Sequence, residues 1–239
     1  MILGKMQIPF VSSAPVEFLG YTVAGVTGDG DASIAYPDNV QSGDLLILLI
    51  AKIYGSAPSI SGWTLIEDIG YDSRSSGIRA ISMYQVASGS LSGTLTVPGS
   101  ASGWSTDGMI VTMNHFRYNK SSSIYTDPIT KNTGTKTAGS LYFLGLTTSA
   151  PKSMVFAAAF GNRYTTSGGF TVSGISSTWD SYYVEAHPYA SLGRNIILGG
   201  AFISVADAST VIADDAFSIG TAFGSYVTAL SQTFEILSP

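Results

Sequence analysis

A chain of 239 residues with 45% hydrophobic and 11% charged residues has ample material for a core and little for a charged surface, since soluble domains usually carry roughly 25% charged residues. Apolar richness at a net charge of -5 excludes an intrinsically disordered chain. The eleven Lys and Arg residues stand singly, which excludes the dense basic face that nucleic acid binding demands.

In chain order, the start Met1-Ile2-Leu3-Gly4-Lys5 has no basic region followed by a long apolar run, so no targeting segment is expected. Residues 1–16 contain Pro9 and Pro15 and little alternation, the pattern of an extended arm. Ile8, Phe10 and Val11 in this arm are the expected contacts to a neighbouring subunit, because apolar side chains on an unpacked arm would otherwise stand in water. From there the pattern is strand and turn. With 27 glycines and 9 prolines, every candidate helical stripe is interrupted.

Strands are expected near 17–26, 33–36, 44–53, 65–69, 78–86, 93–97 and 108–116, and again near 141–146, 154–160, 170–175, 182–189, 195–205 and 226–236. Leu45–Ala51 is apolar at every position, which predicts a central strand buried on both faces. Its seven residues fall far short of the ~20 that a membrane helix needs, so no membrane partner is expected. In 78–86, Ile78, Ala80, Tyr84 and Val86 share one face while Ile81 and Met83 lie on the other, so both faces should be covered. Residues 117–140 read as a polar surface loop around Asp127-Pro128. The fold class that follows is all-β: an antiparallel β-sandwich, jelly-roll-like, forming a single domain over 17–239 behind the arm.

Chemistry-bearing residues are sparse. Gly28-Asp29-Gly30-Asp31 and Asp214-Asp215 could attract Ca²⁺ through oxygen ligands, but both lack the spaced acidic ligands of a calcium loop and read as tight turns. The two histidines, His115 and His187, are too few for a zinc site without cysteine, and the chain has no cysteine. His115 falls in an apolar strand and is expected to be a hydrogen-bonded core residue, with His187 near a strand end before Pro188. There is no Gly-x-Ser-x-Gly elbow and no phosphate-binding loop, and only four Glu (Glu17, Glu67, Glu185, Glu235). No catalytic, cofactor or metal residue is therefore expected. Trp104, Tyr164, Trp179, Tyr182 and Tyr183 could form an aromatic recognition platform for sugar or protein; aromatics are also ordinary core residues of strands.

One ordered set of motifs resembles a known family. Val40-Gln41-Ser42-Gly43-Asp44-Leu45-Leu46 is followed by Gly62-Trp63-Thr64-Leu65, then Tyr84-Gln85-Val86-Ala87, then Phe116-Arg117. This order resembles a β-sandwich domain of structural proteins in tailed bacteriophages and prophages, over about residues 20–160. Tyr118 stands where that family has a glycine. The resemblance implies that Asp44 fixes the turn before the buried strand and that Trp63 plugs one end of the core. It also implies a virion protein without enzymatic activity, made in the host cytoplasm, where the lack of cysteine is no handicap. Its partners would be other capsid or tail subunits, with homo-oligomeric packing on the particle. The expectation is a head decoration or minor tail protein; the alternative is a carbohydrate- or receptor-binding module of a tail tip or fibre.

Overall fold

The computed structural model describes residues 16–53, 55–71, 77–99, 108–118, 129–137, 141–165, 172–189, 194–219 and 223–237. At 71, 118, 129–137, 163–165, 172, 188–189, 194, 217–219 and 223–228 the description covers the backbone alone. The expected arm contacts Ile8, Phe10 and Val11 lie outside the described residues, as do Asp127-Pro128.

The chain is all-β. Its first half supplies β1 (Val16–Thr27), β2 (Ala32–Ala35), β3 (Leu45–Lys52), β4 (Thr64–Tyr71), β5 (Ile78–Val86), β6 (Thr94–Val97) and β7 (Gly108–Tyr118). The second half supplies β8 (Ile129–Thr137), β9 (Leu141–Phe143), β10 (Leu146–Thr147), β11 (Ser153–Thr165), β12 (Val172–Ser173), β13 (Ser181–Tyr189), β14 (Arg194–Val205), β15 (Val211–Ile212), β16 (Asp215–Ile219) and β17 (Phe223–Ile236). Two antiparallel five-stranded sheets stack as a sandwich, ordered β1-β7-β3-β5-β4 and β8-β17-β11-β14-β13. Short pairs cover their outer faces: β2 with β6 over the first sheet, and β9 with β16 and β10 with β15 over the second.

The two sheets have the same topology. Numbering the long strands of each half from one to five in chain order gives the order 1-5-2-4-3 in both. In both halves, too, the covering pair joins a strand that follows the first long strand to one that precedes the fifth. Across the sandwich β3 faces β11, β7 faces β14 and β5 faces β17. Exchanging the halves turns the β7–β14 contact into β17–β5 and leaves β3–β11 in place, as a two-fold axis through the central strands requires. The fold is thus a tandem repeat closed on itself.

Burial follows from the strand period of two. Leu45, Ile47, Leu49 and Ala51 of β3 meet Met154, Phe156, Ala158 and Phe160 of β11 in the core shared by both halves. Leu46, Leu48 and Ile50 point the other way, into an outer core with Ile34, Val97, Ile81, Met83 and Trp63. Burying a Leu or Ile side chain stabilises by about 1.5–3 kcal/mol, so β3 anchors two cores at once. Val155, Ala157 and Ala159 of β11 face a third cluster with Phe143, Ile197 and Trp179.

Several expectations need correction. The stretch 117–140 is not a loop throughout: β7 runs to Tyr118, and β8 pairs with β17 from Ile129↔Ile236 to Thr137↔Thr228. A polar Thr-rich sequence serves here as an edge strand, paired among the described residues with β17 on one side only. Strand 141–146 is broken into β9 and β10 at Gly145, where any side chain would strike the Ile212 carbonyl. Around Asp214-Asp215, read as a turn, β15 and β16 flank a short link. Strand β1 already includes Val16, a core residue that the sequence pattern assigns to the arm.

Candidate functional site

The polar groups that matter chemically are three buried or half-buried carboxylates. Asp44 lies in the turn before β3, 3% exposed. Gly43, at φ +91°, allows that turn, and its N–H donates to Ala87 O. Asp44 Oδ2 accepts from the Gln41 N–H (2.8 Å), from His115 Nε2 (2.7 Å) and from Arg117 Nη2 (2.8 Å), and Oδ1 accepts from Arg117 Nε (2.9 Å). Arg117 Nη2 also donates to Asn39 O at 2.6 Å, tying the turn to β7. Burial alone would raise the Asp44 pKa, but the bonds from Arg117, Gln41 and His115 outweigh it and hold the carboxyl below its usual range. Burial likewise lowers His115 despite Asp44, so the imidazole is neutral and its Nε2–H is the donor.

The second half closes the corresponding turn with the charge on the opposite strand. Lys152, at φ +58°, donates its N–H to Ala206 O before β11. Here Glu235 of β17, the counterpart of β7, carries the carboxylate. Glu235 accepts from the Ser149 N–H (2.9 and 2.8 Å), Ser149 Oγ (2.7 Å) and the Ala150 N–H (3.0 Å). Burial raises the Glu235 pKa, and these donors more than offset it and hold it below the usual value. Sequence reasoning found Asp44 through its motif and missed Glu235, because its partners lie 85 and 86 residues away in the chain.

The third carboxylate lies at the seam where β13, the edge of the second sheet, meets β1, the edge of the first. Tyr21 OH donates to Glu185 Oε1 at 2.7 Å, and the Tyr21 ring stacks on Tyr183 with centroids 3.9 Å apart. Tyr183 OH donates to Asn114 Oδ1 at 2.7 Å and lies 3.1 Å from Thr112 Oγ1. Asn114 Nδ2 in turn donates to Ile47 O at 3.2 Å. One step further along β13, the His187 ring lies against Gly25, where any Cβ would collide with it. His187 Nε2 is 3.5 Å from Thr27 Oγ1. Burial raises the proton affinity of Glu185, which the Tyr21 hydrogen bond only partly counters, and lowers that of His187.

Two of the five aromatics expected in a recognition platform are buried. Trp179 is 6% exposed and meets Phe143 edge-on at 5.5 Å, and Tyr183 is 8% exposed in the shared core. Tyr182, the neighbour of Tyr183 on the opposite face of β13, is exposed. The burial of Trp179 and Tyr183 corrects the surface reading of these two residues: alternation along an edge strand sends consecutive tyrosines to opposite faces. Trp104 lies outside the described residues, and Tyr164 is described only as backbone in β11. Trp63 packs in the outer core of the first sheet.

Three of the four aspartates in the acidic turns serve as backbone acceptors, while Asp29 Oδ1 is buried without a described partner. Asp31 Oδ1 accepts from the Gly99 N–H (2.9 Å), Asp214 Oδ1 from the Gly145 N–H (2.9 Å) and Asp215 Oδ2 from the Ser176 N–H (2.9 Å). Among the described residues no three His, Asp or Glu side chains converge as a metal site would require. In comparisons with known proteins, no family model, curated protein or solved structure matches this chain.

Proposed function

We propose that the chain is a non-enzymatic structural protein of a tailed bacteriophage virion, carried on the outer surface of the particle as a head decoration or minor tail protein. The observation that carries this reading is the use of its buried carboxylates Asp44 and Glu235, each of which closes a turn. Such groups hold a scaffold in place, and a rigid scaffold is what an assembly subunit needs. The ordered motifs ending in Phe116-Arg117 supply the virion assignment, and the weakly charged composition suits a surface shared with neighbouring subunits. The burial of Trp179 and Tyr183 weighs against the carbohydrate-binding alternative.

The test is antibody labelling and mass spectrometry of purified particles from a producing host. The expected result is the chain in fixed proportion to the capsid protein, with label on the head surface or the tail. A chain found wholly in the particle-free fraction overturns the proposal. Deleting residues 1–15, and stopping before the core residue Val16, should preserve the β-sheet circular dichroism while abolishing attachment to particles.

A further inference from the structure

The seam between β1 and β13 differs in kind from the rest of the interface between the halves. Next to the apolar shared core it places a carboxyl group beside a stacked pair of tyrosines, with no cation on it among the described residues. Neither the ion pairs Arg79–Asp68 and Arg117–Asp44 nor the contact of neutral His115 with Asp44 includes Glu185. The groups facing Glu185 can be taken element by element. Strand β1 brings Tyr21, with Gly25 and Thr27 nearer His187. Strand β7 brings Thr112 and Asn114, neither of which titrates, both engaged with Tyr183. Strand β14 places Leu198 in register with Glu185, and β13 itself adds Tyr183 and His187. Its described hydrogen bond comes from Tyr21 OH, a single donor, where Glu235 has three donor groups.

A half-buried carboxyl with one hydroxyl donor and no cation is comfortable when protonated and penalised when ionised. Its strand is an edge: β13 pairs with β14 on one side only. An edge strand is also the element whose opening breaks fewest ladder bonds. We propose that the β1–β13 seam is a proton-sensitive closure of the sandwich, shut while Glu185 is protonated and loosened when the carboxylate forms and draws β13 away from β1 toward water. Tyr21 and Tyr183 are its positioning residues, and His187, packed on the Gly25 backbone, limits the closure on the acid side because its own protonation is disfavoured there.

The sign follows from linkage. Burial raises the proton affinity of Glu185 in the folded chain, so the closed seam binds more protons than the open one. The contribution of Glu185 to closure is complete below the ordinary carboxyl value and weakens as pH rises through the folded value. His187 acts in the opposite direction: closure is complete above the ordinary imidazole value and weakens as pH falls toward its lowered value.

Hydrogen–deuterium exchange on the intact protein tests this, with amide rates corrected for the intrinsic pH dependence and β3 and β11 as internal references. The Glu185 share of the protection of β13 and β1 relative to the references should fall as pH rises from about 4.5, by about tenfold for each unit that the carboxyl is raised. Glu185→Gln, which keeps shape and cannot ionise, should flatten that dependence. His187→Gln should leave it in place and remove the opposite loss at acid pH. Tyr21→Phe, which deletes the donor to the carboxylate, should make the loosening at neutral pH larger than in wild type. Protection of β13 that does not fall with rising pH in His187→Gln, or a fall with rising pH that persists in Glu185→Gln, overturns the proposal.

Discussion

Replacing Asp44 with Ala removes the acceptor around which the turn before β3 is built. His115, 1% exposed, loses the partner of its Nε2–H and is itself shielded from solvent. The Gln41 N–H and two Arg117 donors lose the same carboxylate, but Gln41 is exposed and Arg117 is 26% exposed, so water recovers part of their loss. A buried donor left without an acceptor costs about 1–3 kcal/mol, and breaking a buried charged pair from one side costs about 3–5 kcal/mol. With the Arg117 share discounted for exposure, Asp44→Ala should destabilise by about 3–4 kcal/mol. In urea, with a slope of about 2–3 kcal/mol/M, the midpoint should fall by roughly 1–2 M at unchanged slope. Asp44→Asn keeps an oxygen for the Gln41 N–H and should lose about half as much, roughly 1.5–2 kcal/mol. A midpoint for Asp44→Ala within about 0.3 M of wild type would refute the claim that this carboxylate holds the turn.

Trp63→Ala and Trp179→Ala, which empty corresponding outer cores of the two sheets, should each cost about 3–5 kcal/mol in the same urea assay; a small effect of either would show that its ring is not a core element. Asp44 and Glu235 both have depressed proton affinities when folded, so their contribution is present above the ordinary values of 3.8 and 4.5 and is lost as pH falls through the folded values. Melting temperature should therefore drop steeply below about pH 4, and the double variant Asp44→Asn, Glu235→Gln should show a lower but flatter acid limb; an equally steep limb in that variant would place the acid sensitivity elsewhere.

What the amino-acid sequence settled by itself is local. Breakers at short spacing and alternation at period two determine that the chain is all-β. The uninterrupted apolar run Leu45–Ala51 determines that β3 is buried on both faces, and the two apolar sets of 78–86 determine the same for β5. Asp44 and His115 were legible for a similar reason. One sits two residues into a Ser-Gly-Asp turn beside the most apolar strand, and the other interrupts an apolar strand, where only a paired side chain is tolerated.

The rest belongs to pairings between strands far apart in the chain. Whether 129–137 is a loop or a strand depends on β17 offering an edge to it, nearly a hundred positions later. Tyr182 and Tyr183 are equivalent in sequence, and only the packing of β13 against β1 decides which one is buried. Glu235 resembles any strand-end carboxylate until the turn at Ser149 is brought beneath it. The internal repeat is equally hidden, because the equivalent turns carry their charge on opposite partners, Asp44 in the turn of one half and Glu235 on the strand of the other. A hydrophobic pattern records which face of a strand is buried and says nothing of which strand covers it. That choice is made by register and by the fit of two whole sheets, which exist only in the tertiary structure.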